Sequence, residues 1–223
     1  MVATIQDRPL AVAETGNRTA DAEPVDDVVQ LHRRTIDKVL IAMGTVAALV
    51  FAAAGGLLMW GSNFAEDYVH DELAAQNVTF PSADELREEG RDDLLGYAGE
   101  DVTTGDQAEA YAGYIDGHLQ GIAGGLTYSQ IDDRGAAQAV VEAEEAGASP
   151  EEIAALQATA DELKGQRDSL FRGETLRGLL LTSFAWATVG EIAGIAAWVA
   201  FAGGLVTAAL VIAGLVHLRR SRA

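Results

Sequence analysis

The sequence has no cysteine, and it has only 4 prolines, 4 histidines and 6% aromatic residues. Without cysteine the chain can form no disulfide, no thiolate nucleophile and no zinc site of the cysteine type. Basic residues are scarce as well, since 15 Lys and Arg stand against 34 Asp and Glu. The resulting net charge of −19 repels nucleic acid, which is therefore not an expected partner.

The acidic residues are concentrated in one segment. Residues 62–173 contain 25 Asp and Glu but only 6 Lys and Arg, so this segment carries the entire net charge of −19. The mean hydropathy is nevertheless +0.11, because long apolar runs flank the acidic segment. The pattern predicts an acidic domain between membrane segments. Such a domain is either simply solvated, or it attracts a basic protein or loosely bound divalent cations.

The first apolar run covers residues 39–60, starting at Val39 and ending at Trp60, without a single charge. A helix of that length spans about 33 Å, slightly more than the hydrocarbon core of a bilayer. Trp60 suits the membrane interface. Ala52 and Ala54 form an A-x-A pattern that would permit signal cleavage, but the apolar run continues well beyond them. We therefore predict a signal anchor, with cleavage as the alternative.

The second apolar run, residues 176–218, is interrupted only by Arg177 and Glu191. It is long enough for one helix with an extension or for two helices, and the flanking charges decide between them. Basic clusters precede the first run (Arg33, Arg34, Lys38) and close the chain (Arg219, Arg220, Arg222). The positive-inside tendency places both clusters in the cytoplasm, which requires an even number of crossings.

These charges predict a multi-pass protein of a bacterial cell membrane with both termini cytoplasmic. The expected order is a disordered tail (1–30), a first transmembrane helix (39–60), an acidic helical extracytoplasmic domain (62–173), a helical extension or interfacial helix (176–190), a second transmembrane helix (192–216) and a basic tail (217–223). Three spans are the alternative. Small residues at fourfold spacing predict close helix contact in both spans; they are Ala48, Ala52 and Gly56, and Gly190 and Gly194.

The acidic segment has the signals of successive capped helices. Ser82 with Glu85 predicts a helix to about residue 97, and Thr104 with Gln107 predicts one to about residue 122. Asn63 can cap a helix to about residue 76, which either begins there or continues from the first span. Further starts are predicted at Thr127 or Ser129 and at Ser149-Pro150, the last followed by a coiled-coil-like seam of Ile153, Leu156, Ala160, Leu163 and Leu170. No useful strand pattern occurs. We predict an all-α fold in which two transmembrane helices flank an extracytoplasmic helical bundle or hairpin domain.

Eight short segments resemble those of a known group: Asn77-Val-Thr-Phe-Pro81, Tyr97-Ala-Gly99, Val102-Thr-Thr-Gly105, Tyr111-Ala112, His118-Leu119, Leu126-Thr-Tyr-Ser-Gln130, Leu176-Arg-Gly-Leu-Leu-Leu181 and His217-Leu-Arg-Arg220. The chain resembles small two-span actinobacterial membrane proteins of uncharacterised function over roughly residues 30 to 220. Some members of that group bear the label aromatic ring-opening dioxygenase. That label implies iron held by histidines and carboxylates, and the residues of this chain do not support it.

Four residues are the candidates for function. Glu191 is an ionisable group in an apolar run and therefore a candidate intramembrane residue, unless it lies at the interface. Arg177 is 14 positions away and cannot pair with Glu191 along one straight helix. His70 and His118 could contribute to a metal site, but His118 lies on the mainly apolar face that includes Ala108, Tyr111, Ile115, Leu119 and Ile122, which favours a core position, and His70 lies beside Asp67 and Asp71, which favours a solvated one.

No catalytic constellation, phosphate-binding loop or EF-hand pattern occurs, so we expect no catalytic or metal-binding residues and no cofactor. The leading hypothesis is a non-enzymatic, membrane-anchored interaction module that serves as an accessory or scaffold subunit of a cell-envelope complex. Its partners would be the membrane and other envelope proteins, or further copies of itself. The alternative is a small homo-oligomeric channel or transporter component that uses Glu191 and an acidic vestibule. A sensor without a recognisable output domain ranks below both, and an enzyme ranks last.

Overall fold

The computed structural model describes the backbone of residues 25–220 and the side chains of residues 34–220. This part of the chain is helical, and its only β-type pairing is an isolated bridge between Thr79 and Asp101. The elements are α1 (Val25–Ala74), α2 (Ala83–Glu88), a 3-10 helix (Asp92–Tyr97), α3 (Gly105–Ile122), a 3-10 turn (Tyr128–Gln130), α4 (Asp133–Glu145) and α5 (Pro150–Arg220).

The two longest helices, α1 from Arg34 onward and α5, are long and apolar enough to cross a membrane. Only 6% and 11% of their most apolar stretches are buried within the protein. A core helix of a soluble protein would be mostly buried. The all-α class and the two apolar helices of the prediction are thus confirmed, while the arrangement about a membrane stays a prediction.

Two predicted boundaries shift because the long helices are continuous. Residues 1–24 of the predicted disordered tail lie outside the described residues, and α1 already begins at Val25. The same helix runs through Asn63 to Ala74, so of the two alternatives at that residue the helix continues from the first apolar run. Helix α5 passes without a break through residues 176–218. Residues 176–190 therefore continue α5 without a turn that could form a hairpin of two spans, and their position relative to a membrane stays a prediction. Residues 217–220 of the predicted basic tail form its last turn.

The described chain divides into two compact units. Unit 1 contains the described residues up to Ala47 and from Val206 onward, and unit 2 contains residues 48–205. In unit 1, α1 and α5 approach closely at glycines. A methyl group at Gly44 would come within 2.7 Å of Val211 Cγ2, and one at Gly214 within 3.3 Å of Ile41 Cγ1. The order of these contacts shows that the two helices run antiparallel in unit 1.

Close packing of α1 on α5 also occurs within unit 2. Gly204 lies against the backbone of Ala48 and Ala52, so two residues of the predicted strip contact the chain's own second apolar helix. The third residue of the strip, Gly56, does not pack on α5, because a methyl group there would meet nothing within 4 Å. Its neighbour Gly55 is buried instead, and a methyl group there would lie 2.8 Å from the Phe201 ring.

The apolar core of unit 2 is formed by the short elements together with residues of α1 and α5. One cluster contains Val69, Leu73, Phe80, Leu86, Leu94, Val102 and Ala108. The Phe80 ring stacks on Tyr97 at 5.2 Å and meets Tyr111 edge-on at 5.1 Å. A second cluster contains Leu119, Ala123, Ile131 and Leu170. Leu163 packs against it, while Ile153, Leu156 and Ala160 of the predicted seam are half-buried.

Local capping explains where most of these elements begin. Ser82 and Glu85 form the predicted capping box, and Thr104 and Gln107 form the second. The Ser149 hydroxyl accepts the Glu152 N–H at 3.3 Å at the start of α5.

The predicted bounds of two helices are wrong. The helix after Ser82 stops at Glu88, because Gly90 adopts a φ of +71° that ends it, and a 3-10 helix follows. The helix predicted from Thr127 or Ser129 begins later. Only a 3-10 turn forms there, and α4 starts after Asp132, whose Oδ1 accepts the Gly135 N–H at 2.8 Å.

Candidate functional site

A cleft of about 420 Å³ opens in unit 2 where α1, the start of α3 and α5 meet. Four titratable side chains line it, Glu66 and His70 from α1, Asp106 from α3 and Glu191 from α5. Ser62, Thr104 and Thr188 add hydroxyl groups to the same lining. The cleft therefore combines three carboxylates and one imidazole with several neutral hydrogen-bonding groups.

Small residues form the base of the cleft by allowing its three walls to approach. A methyl group at Gly190 would lie 2.9 Å from Ala65 Cβ, and one at Gly194 would lie 2.8 Å from Ser62 Oγ. Gly105, the first residue of α3, is buried directly against Ala187. The predicted small-residue pair of α5 thus contacts α1, and the first turn of α3 is fixed against α5.

Backbone N–H groups at the amino end of α3 donate hydrogen bonds to nearby side chains of the same chain. Gln107 Oε1 accepts the backbone N–H groups of Thr103 (2.8 Å) and Thr104 (3.0 Å), and Thr104 Oγ1 accepts the Gln107 N–H at 3.3 Å. The positive end of the helix dipole favours nearby negative charge. This effect helps to accommodate Asp106 in the first turn of α3 within a cleft that already contains two other carboxylates.

Glu191, the leading candidate from the sequence, is solvent-exposed and contributes to the cleft. Its companions Glu66 and Asp106 were missed. The sequence does contain a signal for Glu66, because Ser62, Glu66 and His70 recur every four residues and share one face of a helix. That signal depends on extending α1 beyond Trp60. Asp106 offered no comparable signal, since only the packing of α3 on α5 places it there.

The two histidines lie in different surroundings. His70 is exposed, its Nδ1 is 3.4 Å from Asp71 Oδ1, and it lines the cleft. His118 is not a core residue of α3, contrary to the sequence interpretation, because its neighbour Leu119 takes the buried position. The His118 side chain is 54% exposed, and its Nε2 lies 3.8 Å from Glu89 Oε1. Within residues 34–220, no three His, Asp or Glu side chains are placed to hold a metal ion.

Arg177 does not approach Glu191 but forms ion pairs with two other carboxylates. Its Nε lies 3.5 Å from Asp116 Oδ1 on α3, and its Nη1 lies 3.2 Å from Glu174 Oε2 one turn earlier on α5. The contact with Asp116 joins α3 to α5. The structure therefore gives Arg177 a packing role in unit 2 and separates it from the cleft.

A second polar cluster surrounds Tyr114 on α3. Arg91 forms an ion pair with Asp93 at 2.9 Å, donates to the Gly113 carbonyl at 3.1 Å and lies over the Tyr114 ring. The Tyr114 hydroxyl donates to Glu89 Oε1 at 3.3 Å. Burial, followed by this hydrogen bond, raises the pKa of Tyr114 to about 12. Tyr114 thus remains protonated at neutral pH, and the cluster ties the loop after α2 to α3.

A third polar cluster joins α4 to α5. Arg167 pairs with Asp133 and lies over the Tyr128 ring at 4.6 Å, with a hydrogen bond of 3.1 Å to the Tyr128 hydroxyl. The hydrogen bond from Arg167 lowers the pKa of Asp133. Because Arg167 on α5 meets the first residue of α4, the two helices run antiparallel. Helices α4 and α5 therefore form an antiparallel helical hairpin.

Comparison with known proteins finds no matching family model, and no curated protein and no solved structure matches the chain significantly. The resemblance to small actinobacterial membrane proteins therefore stays a prediction.

Proposed function

We propose that the protein is a membrane-anchored helical interaction module that serves as an accessory or scaffold subunit of a cell-envelope complex. The observation that supports this proposal is apolar surface in unit 2 at positions outside the predicted hydrocarbon core. Contiguous exposed apolar surface usually marks a site of contact with a protein or a membrane.

The first such surface is a row of stacked rings on α1. Trp60, Phe64 and Tyr68 follow one another at intervals of four residues, with ring centroids 5.8 and 6.1 Å apart. These residues are 68%, 59% and 56% exposed. We call them the aromatic row. They begin at the last residue of the predicted first span and continue for two helical turns beyond it.

The second surface lies on the part of α5 that precedes the predicted second span. Leu179 is 62% exposed and Trp186 is 57% exposed, and Leu176 and Val189 are also exposed. Full burial of a large apolar side chain contributes about 1.5–3 kcal/mol. The exposed residues on α1 and α5 together could therefore add on the order of 10 kcal/mol to an association that covered them, before its entropic costs.

The carboxylates beside the aromatic row indicate that a partner protein, and not lipid, covers these rings. Glu66 and Asp67 are exposed between Phe64 and Tyr68 on the same helix. Immersion of this segment in hydrocarbon would remove both carboxylates from water, which is costly for an ionised group. A partner protein can instead cover the rings and leave the carboxylates solvated or paired with its own basic residues.

The proposal is tested by the native mass of the gently solubilised full chain from its own membrane. Discrete complexes with other polypeptides are expected. The double variant Phe64→Ser, Trp186→Ser should release them, while the matched control Ile122→Ser, Val141→Ser, which alters exposed apolar residues elsewhere in unit 2, should retain them. Recovery of the wild type as a lone monomer contradicts the proposal.

The cleft favours a second candidate, a small homo-oligomeric channel or transporter component. Three carboxylates and a histidine in one cleft would concentrate cations near the predicted spans. Replacement of Glu191 by Gln should then reduce cation flux into vesicles, while Glu144→Gln, at an exposed position on α4, should not. Absence of flux with the wild type would eliminate this candidate. A single homo-oligomeric mass in the first experiment would favour it.

A further inference from the structure

Unit 1 contains a groove of about 510 Å³ between α1 and α5. Its walls are mostly apolar, with Leu40 and Ile41 on one side and Leu210, Val211 and Ala213 on the other. Gly44 and Gly214 also line it, and each lies close to a side chain of the opposite helix. The groove therefore results from small residues flanked by large exposed ones.

One end of the groove is polar. Asp37 and His217 line it there, and because the helices are antiparallel in unit 1 these two residues belong to the same end. Arg34 and Lys38 surround Asp37 on α1, and Arg219 and Arg220 follow His217 on α5. All four basic side chains are exposed. The polar end thus has four permanent positive charges and one carboxylate. We call these four residues the basic rim.

We infer that this groove binds one anionic phospholipid, with an acyl chain between the apolar walls and the phosphate at the basic rim. Hydrocarbon fills an apolar groove that opens toward a bilayer, and basic residues beside membrane helices attract anionic head groups. Arginine is well suited to phosphate because its guanidinium group can donate two parallel hydrogen bonds. The combination of charge and apolar walls distinguishes this groove from the acidic cleft, which repels the same head group.

This inference goes beyond the proposed function and shares with it only the premise of membrane anchoring. It rests on α1 and α5 spanning the membrane, which is supported by their length and hydropathy. A basic surface alone would adsorb many anionic lipids without preference for a site. The groove predicts instead one retained lipid, which is blocked by filling the apolar walls as well as by removing the charges.

The test uses the full chain reconstituted in vesicles of phosphatidylcholine with a minor share of phosphatidylglycerol, then released in mild detergent for native mass measurement. The wild type should retain one phosphatidylglycerol. The variant Lys38→Gln, Arg220→Gln should lower its retention by roughly tenfold or more, because each basic residue near an anionic surface contributes about a factor of five. The control Arg134→Gln, Lys164→Gln removes two exposed charges from unit 2 and should leave retention unchanged.

A steric pair of variants tests the acyl-chain position. Ala213→Trp fills the groove and should abolish retention, whereas Ala209→Trp, at an exposed position of α5 that does not line the groove, should preserve it. Circular dichroism of each variant establishes that the helices remain formed.

Three outcomes overturn the inference. Equal retention of phosphatidylcholine and phosphatidylglycerol shows that the charges do not select the lipid. Retention that survives Ala213→Trp shows adsorption outside the groove. A dimer that Ala213→Trp dissociates shows that a second copy of the chain, and not a lipid, occupies the groove.

Discussion

Unit 1 and unit 2 differ in the contacts that stabilise each of them, because unit 2 adds a buried apolar core and ion pairs to the helix packing at glycines. In unit 1, glycines lie against branched apolar side chains, as Gly44 does against Val211. In unit 2, large residues such as Phe80 and Leu86 are buried in a core, and ion pairs such as that of Arg167 join its helices. Close packing at small residues is the main source of stability for paired apolar helices in lipid, whereas the hydrophobic effect stabilises a buried apolar core. Different substitutions should therefore destabilise the two units.

The largest effect is expected from truncation of the core of unit 2. Phe80 is 3% exposed and contacts the rings of Tyr97 and Tyr111. Phe80→Ala should lower the free energy of unfolding by about 3–5 kcal/mol. Ile122→Ala, at an exposed position of α3, should change it by about 0.5 kcal/mol or less. Denaturant titrations followed by circular dichroism measure both. Similar losses for the two variants would show that unit 2 has no specific core.

Unit 1 should respond instead to a single added methyl group. Gly44→Ala should lower stability in detergent or bilayer by about 1–3 kcal/mol, because the methyl group would overlap Val211. The second substitution Val211→Ala should restore the thermal midpoint by removing that overlap. Gly56→Ala is the control, since its methyl group meets nothing within 4 Å. If Gly44→Ala and Gly56→Ala behave alike, close packing does not stabilise unit 1.

A smaller effect is expected from Tyr114 at alkaline pH. Its pKa is raised to about 12, mainly by burial, from an ordinary value of 10. The folded protein then keeps the phenolic proton while the unfolded chain loses it, so stability should fall as pH rises from about 10 to about 12. The Tyr114→Phe variant should lose this slope and the last phenolate absorbance step of the wild type. An unchanged titration in the variant would assign that step to another tyrosine.

The smallest effect is expected from the ion pairs of unit 2 in acid. Hydrogen bonds from Arg167 and Arg91 lower the pKa values of Asp133 and Asp93 below the ordinary 3.8. Their contribution is present above that pH and is lost as pH falls through the lowered values. Arg167→Gln should slightly reduce the loss of stability toward acid pH, because ion pairs that solvent can reach contribute little. Arg172→Gln, at an exposed position of α5, should leave the stability in acid unchanged. An equal change in the two variants would show that net charge, and not the ion pair, causes the effect.

Local signals in the sequence predicted the local structure well. Ser82, Thr104 and Ser149 each begin a helix as predicted, because a capping hydroxyl and its partner are three residues apart. The end of α2 was missed because Gly90 can adopt a positive or a negative φ, and the sequence does not say which.

Tertiary placement was harder to predict. His118 and Leu119 are adjacent on α3, so a pattern of helical spacing allows either to face the core, and packing selects Leu119. Gly55 and Gly56 present the same ambiguity on α1. The cleft required the position of α3 against α5, which depends on contacts between residues more than 80 positions apart, such as Gly105 and Ala187. No spacing rule provides that information, so of the four titratable residues in the cleft only His70 and Glu191 were candidates from the sequence.

The exposure of the tryptophans has a consequence for spectroscopy. The chain has three, Trp60, Trp186 and Trp198, and each is more than half exposed. In most proteins the indole emission reports on a buried core and changes when that core unfolds. Here the emission reports on whatever surrounds the helices, whether water, lipid or a bound protein. Its wavelength is therefore a label-free signal of docking and of membrane insertion, while loss of the Phe80 core would leave it almost unchanged.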